Sequence, residues 1–222
     1  MVFSKNWDYL YRKNIHMSIW PWSDLISYTI HYAPKKKTLI NVLELGCGAG
    51  ANIPFFIKMN YNYFGIDGSE TIINNLKKKF PKLKKNLVVC DFTKDIPFDE
   101  KFDLVIDRAS LTHNPTKDIQ NCLNLIYKKL KPNAIFIGID WFSTSHQDFS
   151  LSVKKIDKFT KTDYSNGRFT NVGNVHFSNK SHLLNLFKKF KIINLEHKII
   201  STTIPEKTKF ATWNFVAKKE IN

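Results

Sequence analysis

Residues Val42–Gly50 read Val-Leu-Glu-Leu-Gly-Cys-Gly-Ala-Gly, an apolar strand that ends on an acid and runs straight into three alternating glycines. With no Cβ at every second position, backbone amides can come into van der Waals contact with a ligand, and positive φ costs little. From Ala51 onward the chain can start a helix. A strand, a glycine turn and a helix at the edge of a parallel sheet make a nucleotide-type pocket beyond the strand's carboxyl end. The residues after the turn decide what that pocket accepts.

The rest of the chain repeats the same rhythm. Strands are expected at Leu39–Leu45, Tyr61–Ile66, Leu87–Cys90, Phe102–Ile106 and Ala134–Ile139. Between them fall helices at Ala51–Lys58, at Ser69–Phe80 with Ser69 as its cap, and at Thr116–Leu130, where Ile119, Leu123, Ile126 and Leu130 share one face. Lys131-Pro132-Asn133 reads as the turn into the fifth strand. Strands alternating with helices mean an α/β, doubly wound, mostly parallel sheet. Two short aromatic helices, Trp7–Tyr11 and Trp22–Tyr32, precede it. The polar, aromatic segment Asp140–His176 breaks the rhythm with Asn166-Gly167 and Val172-Gly173 turns, and a helix (Ser181–Phe190) and two strands (Ile192–Ile200, Ala211–Ala217) follow. At 222 residues the chain suits one domain.

Ligands of such sheets sit beyond the carboxyl ends of the strands, and there the sequence places Glu44, Asp67, Asp91, Asp107 and Asp140. One strand-terminal Asp is usually a turn or cap residue. Five on one rim beside a glycine loop ask for a ligand. Asp67 stands where a carboxylate can accept both hydroxyls of a ribose. Asp91 can accept from an exocyclic adenine amine, with Phe92 stacking on the base.

At this point the chain resembles the class I S-adenosylmethionine-dependent methyltransferases. Glu44-Leu45-Gly46-Cys47-Gly48-Ala49-Gly50 matches their acid-x-Gly-x-Gly-x-Gly loop. Asp67-Gly68-Ser69 is similar to their ribose acid with its helix cap, and Asp91-Phe92 to their adenine pair. Phe102–Asp107 resembles the fourth-strand motif and Leu130–Asn133 the turn before strand five. The resemblance implies a Rossmann-like, seven-stranded sheet with the last strand antiparallel, and S-adenosylmethionine as cofactor, leaving S-adenosylhomocysteine as product. It implies a division into an N-terminal helical cap (1–36), a cofactor-binding core (37–139), an acceptor-site insert (140–178) and a C-terminal helix and strands (179–222). Cofactor contacts are expected from Glu44, Gly46, Cys47, Gly48, Gly50, Asp67, Gly68, Ser69, Asp91, Phe92, Asp107 and Arg108. A nicotinamide dinucleotide enzyme is the rival, because Gly46-x-Gly48-x-x-Ala51 fits that fingerprint too. That reading leaves Glu44 and Asp91-Phe92 without work, and Asn52-Ile53-Pro54 perturbs the helix it needs.

Methyl transfer from a sulfonium is an in-line displacement, so alignment supplies much of the acceleration. A hydroxyl or ammonium acceptor must also lose a proton. His113, in the loop after strand four, is the expected base, although it could equally be a polar loop residue orienting the next helix. Asp107 is the second catalytic candidate, through the cofactor's amino group or the shape of the pocket. The acceptor pocket is expected from Tyr11, Trp20, Trp22, Asp140, Trp141, His146 and Arg168, with several of the rings instead packing on the sheet edge. No metal site is expected: Asp103, Asp107 and Asp140 could be read as a metal cluster, but nothing like a three-ligand set with His spacing supports it.

The formal charge of +15 comes from 34 basic residues, of which only Arg12, Arg108 and Arg168 are arginine. Nucleic-acid readers lean on arginine, so the lysine runs at Lys35–Lys37, Lys77–Lys79 and Lys128–Lys131 read as solvated helix ends or turns. The field still suits an anionic small molecule. A small-molecule acceptor is favoured, because the loop Asp107–Pro115 lacks the Asp/Asn-Pro-Pro-aromatic motif of enzymes that methylate exocyclic amines of nucleic acids. An RNA- or protein-directed methyltransferase, and a non-catalytic cofactor-binding subunit, are the alternatives. The aromatic cap, Trp20-Pro21-Trp22-Ser23 and the insert are similar to compact methyltransferases of bacterial surface-polysaccharide (capsule) pathways, which implies an activated sugar or its substituent as acceptor. Cys47, Cys90 and Cys122 suggest no disulfide framework, and no stretch approaches a membrane span or a signal peptide, so a cytoplasmic location is expected. Nothing in the sequence specifies self-association.

Overall fold

The computed structural model describes residues 5–35, 38–151 and 154–220. The first residues of the expected cap, two lysines of the Lys35–Lys37 run and the last two residues of the chain lie outside them. Seven strands form the main sheet: β1 (Asn41–Leu45), β2 (Asn62–Asp67), β3 (Leu87–Val89), β4 (Phe102–Arg108), β5 (Leu130–Phe142), β9 (Lys191–Thr202) and β10 (Thr208–Lys218). Their order is β3-β2-β1-β4-β5-β10-β9. β1 through β5 pair in parallel, while β10 runs antiparallel to both β5 and β9. The last strand is therefore the reversed one, as the resemblance implied.

Side chains alternate across this sheet with period two. On β5, Ile135, Ile137 and Ile139 join one core with Val42, Leu104 and Ile106. Ala134 and Phe136 enter the other core with Leu43, Leu45 and Val105. Helices cover both faces: α3 (Ile53–Lys58), α4 (Glu70–Lys79), α5 (Thr116–Lys129) and α6 (Lys180–Leu186), with α1 (Lys5–Arg12) and α2 (Ser23–Tyr32) ahead of the sheet. Ser69 caps α4 by accepting from the Ile72 amide at 3.2 Å. The lysine runs at Lys77–Lys79 and Lys128–Lys129 occupy the last turns of α4 and α5, where cations favour the helix dipole.

Two departures from the expected elements have clear causes. Lys131-Pro132-Asn133 does not end before the strand but lies inside β5, whose pairing with β4 shifts register between Phe102 and Leu104. Asn133 absorbs the irregularity at φ 60, a conformation asparagine tolerates. The segment expected to be irregular also folds a small sheet of its own, from β6 (Lys154–Lys155), β7 (Thr160–Thr162) and β8 (Val175–His176). These strands are two or three residues long, too short to show alternation in sequence. Their aromatic neighbours Tyr164, Phe169 and Phe177 build a third core that also takes Leu10 of α1 and Phe142 of β5.

A β-bulge ends the regular part of β5. Phe215 pairs with Gly138 and Trp213 with Trp141, so Ile139 and Asp140 together face Asn214. Asp140 takes φ 56, and its amide donates to the Asn214 side chain at 2.8 Å. The inserted residue reverses the phase of everything after it. Trp141, two residues beyond Ile139, consequently turns into the opposite core. It is fully buried there against Phe215, Phe187 and Phe136.

Gly138 is the tightest point of this pairing, since a Cβ there would lie 2.3 Å from the buried Phe215 ring. Gly138→Ala should therefore destabilise the fold by about 1–3 kcal/mol through overpacking. Urea unfolding checks this; an unchanged midpoint would contradict the packing described.

Candidate functional site

At the carboxyl end of β1 the chain turns through Gly46 (φ 62), Gly48 (φ 48) and Gly50 (φ 75). All three turn positions are also short of room for a side chain. A Cβ on Gly46 would lie 2.3 Å from Ser110 Cβ, one on Gly48 3.0 Å from the Tyr11 hydroxyl, and one on Gly50 2.5 Å from Leu76. Positive φ favours glycine at all three, and space excludes a side chain most strictly at Gly46 and Gly50. Gly50 packs against Leu76 and Ile53 and does not line the cavity.

That cavity holds about 390 Å³ and opens above the glycine turn. Its floor includes Glu44, Gly46, Cys47, Gly48, Asp67, Asp91 and Phe92. Trp7, Tyr11, His16, Ser18 and Trp22 come from the first two helices and the loop between them, and Arg108, Ala109, Ser110, His113 and Asn114 from the end of β4 and its loop. Asp140, Phe142 and Phe210 complete the lining.

The acids on this rim differ in what they have left to offer. Asp67 accepts from the amides of Gly48 and Ser69, each at 2.9 Å. Burial pushes its carboxyl up to about 6, opposed by those two amides. Glu44 accepts from Tyr63 Oη and Asn52 Nδ2, both at 2.6 Å. Burial raises it to about 7 against those bonds, so both of its oxygens already serve the protein. Asn52 in turn accepts from the Trp22 amide at 3.4 Å, which links β1 to the start of α2. Asp91 directs Oδ1 to the Thr93 amide and hydroxyl at 3.1 and 2.6 Å. Its Oδ2 is buried without a hydrogen bond, with Lys94 Nζ 3.7 Å away. A buried carboxylate oxygen in that state is a ready acceptor for a ligand N–H.

Asp107 is wholly buried and does not line the cavity. One of its oxygens accepts from Ser110 Oγ and from the Leu111 amide. Ser110 also lies 2.7 Å from the Leu45 carbonyl. Asp107 thus fastens the loop after β4 to the end of β1, and burial pushes its carboxyl up to about 6. The loop begins with Ala109 at φ 55, a strained conformation for alanine of the kind concentrated at functional sites.

His113 follows on a 3₁₀ turn, with its imidazole edge-on to Trp7 (4.9 Å) and Phe142 (5.9 Å). Its Nδ1 lies 3.0 Å from the Asn174 carbonyl. A carbonyl can only accept, so Nδ1 carries the proton and Nε2 keeps a free lone pair. Burial lowers the imidazole to about 4.

Beside it, Arg108 bonds Asp140 at 2.9 Å and lies 3.5 Å over the Trp22 ring. The bulge at Asp140 is what turns this carboxylate into the cavity.

The roof is tied down from two sides. Asp8 of α1 accepts from Ser69 Oγ at 2.5 Å and the Thr71 amide at 3.2 Å, and pairs with Arg12 at 2.8 Å. Burial pushes the Asp8 carboxyl up, but the bonds from Ser69 and Thr71 and the Arg12 charge outweigh it and hold it below its ordinary value. Leu10 anchors the same helix in the aromatic core of the insert.

Several expected residues are not brought to this cavity. Gly68 and Ser69 stand behind Asp67, where Ser69 caps α4 and holds Asp8. Trp20 is 77% exposed and points away, and Trp141 is turned into the core by the bulge. His146 is buried; its Nδ1 accepts from the Asp148 amide, and its ring packs on Phe169 and Phe210. Arg168 borders a neighbouring groove instead. The sequence reading missed His16, Ser18, Asn52, Ser110, Phe142 and Phe210. Asn52 stood next to the glycine loop and Ser110 next to the fourth-strand acid, and their polar side chains were the available signal. Among the described residues, no helix is long and apolar enough to cross a membrane.

Residues 42–133 match the family described as "Methyltransferase domain". An uncharacterized methyltransferase of Schizosaccharomyces pombe is 28% identical over 174 residues, covering 72% of this chain; the chain spans 56% of that protein. In fold the chain is similar to an S-adenosylmethionine-dependent methyltransferase of Methanosarcina mazei, with TM-score 0.68, 16% identity and coverage of 91% of this chain and 100% of the other. It is also similar to the N-methyltransferase NodS of Bradyrhizobium japonicum in complex with S-adenosylhomocysteine, with TM-score 0.65, 12% identity and coverage of 96% and 98%. The fold is that of S-adenosylmethionine-dependent methyltransferases, one of which, NodS, holds S-adenosylhomocysteine. The glycine cradle and the Asp91 oxygen that lacks a hydrogen bond fit a ligand of that kind.

The histidine assignment is open to direct measurement. Imidazole ¹⁵N shifts should show His113 as the Nδ1–H tautomer, neutral from pH 8 down to about 5, because its value lies near 4. The sign follows: the fold excludes the protonated form, so His113 adds stability above its ordinary value and loses it as pH falls toward 4. A His113 that titrates between pH 6 and 7 would contradict the buried geometry.

Proposed function

We propose that this chain transfers a methyl group from S-adenosylmethionine to a hydroxyl or nitrogen of a small polar acceptor. The observation that carries the reading is the rim itself: Asp67 and Asp91 stand on successive strands beside a backbone turn stripped of Cβ atoms. Asp67 holds the ribose hydroxyls, and Asp91 Oδ2 accepts from the adenine amine with Phe92 against the base. Gly46, Cys47 and Gly48 present backbone to the amino-acid end of the donor, which lies under Tyr11. Glu44 acts through Asn52 and Tyr63, as a positioning residue for the turn.

The bound sulfonium supplies an already activated methyl group. What remains for the protein is to align the acceptor and exclude water. Trp7, Tyr11 and Trp22 form the water-excluding roof. His113 Nε2, neutral with an open lone pair, accepts a hydrogen bond from the acceptor hydroxyl or amine and orients it toward the methyl group; the proton leaves to solvent after transfer. A sugar hydroxyl on a surface-glycan precursor is one acceptor of this kind, in line with the aromatic cap and insert, and the compact cavity favours it over RNA or protein.

Calorimetric titration with S-adenosylhomocysteine tests the donor half. Binding should be saturable, and Asp67→Ala should weaken it at least about 10-fold through loss of charge-assisted bonds. Stabilisation by NAD alone, with no response to S-adenosylhomocysteine, would overturn the reading. His113→Gln should lower turnover far more than donor affinity; full activity would return His113 to a purely structural role.

A further inference from the structure

A second groove of about 340 Å³ adjoins the cavity and shares Trp22, Arg108, Asp140 and Phe210 with it. Its own lining adds Asp24, Arg168 and Lys198. The charges here are not evenly matched. Asp24 takes Lys198 at 2.6 Å, while Asp140 takes Arg108 at 2.9 Å and lies 3.8 Å from Lys198. Two carboxylates thus compensate two cations in one continuous chain of ion pairs. The Lys198 bond holds the Asp24 carboxyl below its ordinary value.

Arg168 is left over. Of the three arginines, Arg12 is engaged by Asp8 and Thr71, and Arg108 by Asp140 and Trp22. Among the described residues, Arg168 has no carboxylate within ion-pair distance. Its guanidinium lies 5.1 Å over the Phe210 ring, and its amide donates to buried Asp148 at 3.1 Å, which fixes the turn that carries it. Gly167 beside it, at φ 83, approaches Asp148 so closely that a Cβ would lie 2.8 Å from Oδ2. The turn is therefore built to hold this arginine at the groove. Arg108 Nε, at the boundary of the two spaces, is also buried without a hydrogen bond.

We propose that this groove seats the methyl acceptor and that Arg168 grips a carboxylate or phosphate on it. A guanidinium fork matches either oxyanion with two parallel bonds. Phe210 and Trp22 supply flat apolar surfaces for the body of the acceptor. The remainder passes the Arg108–Asp140 pair and reaches the cavity beside His113, where the accepting atom meets the donor. The acceptor class is thus a small anionic molecule with its hydroxyl or amine at the end remote from the charge. This assignment rests on the methyl-transfer reading for the contents of the adjoining cavity, but the anion seat is a property of the groove itself.

Calorimetry with inorganic phosphate, acetate and neutral glycerol, each with and without saturating S-adenosylhomocysteine, separates the two claims. At least one of the anions should bind saturably, and glycerol should not. Arg168→Gln, at an exposed position, should weaken that binding at least about 10-fold. Lys85→Gln, an exposed lysine elsewhere, should stay within about 2-fold, the change expected when no contact is lost. Binding of phosphate alone assigns phosphorylated acceptors, and of acetate alone carboxylates. Equal affinity in Arg168→Gln, or no saturable binding of either anion, overturns the proposal. Anion binding that depends on Arg168 without any S-adenosylhomocysteine binding upholds the groove and removes the donor reading.

Discussion

One buried carboxylate joins the parts of this site. Asp67 accepts the Gly48 amide on one oxygen and the Ser69 amide on the other, each at 2.9 Å. It thereby fixes the glycine turn of β1 against the first turn of α4. Ser69 hands the connection on to Asp8 and so to α1. Floor, helix and roof share this one line of hydrogen bonds. Both bonded oxygens retain further lone-pair capacity, so the group that organises the site can also accept from a ligand.

A second constraint acts from the far side of the cavity. The bulge on β5 inserts Asp140 into the sheet and sets it at positive φ. Its carboxylate then meets Arg108, whose plane covers Trp22. The same inserted residue sends Trp141 into the core, where it packs with Phe136 and Phe215. Local strain at Asp140 is supported by the Asn214 bond and by the aromatic packing on either side. Ala109, also at positive φ, is held by Asp107 and Ser110 in a comparable way. Both strained residues line the cavity.

Much of this was legible in the sequence. The glycine loop, the order of strands and helices and the reversed last strand follow from periodicity and from a motif set with strong family character. Asp67, Asp91, Phe92, Arg108, His113 and Asp140 fall at strand ends and in one loop, where topology alone brings them together. What sequence could not show is which acids face the cavity. Asp107 has the same strand-end position as Asp91, and each keeps one oxygen without a hydrogen bond. Yet the loop folds back over Asp107 through Ser110, and of the two only Asp91 lines the cavity. Trp141 and His146 look like acceptor residues in a polar, aromatic stretch. A one-residue bulge turns Trp141 into the core, and Phe169, Phe177 and Phe210 enclose His146; neither arrangement leaves a periodic signal. Trp7 and Phe210 come from opposite ends of the chain and meet only through the insert.

The central claim is that adenosine lies along the rim with its sugar on Asp67 and its base at Asp91 and Phe92. A crystal structure with S-adenosylhomocysteine tests it most directly. The account predicts ribose hydroxyls within hydrogen-bond distance of Asp67 and the adenine amine on Asp91 Oδ2. Ligand density outside this cavity, or Asp67 and Asp91 still bonded only to protein beside a bound ligand, would contradict it.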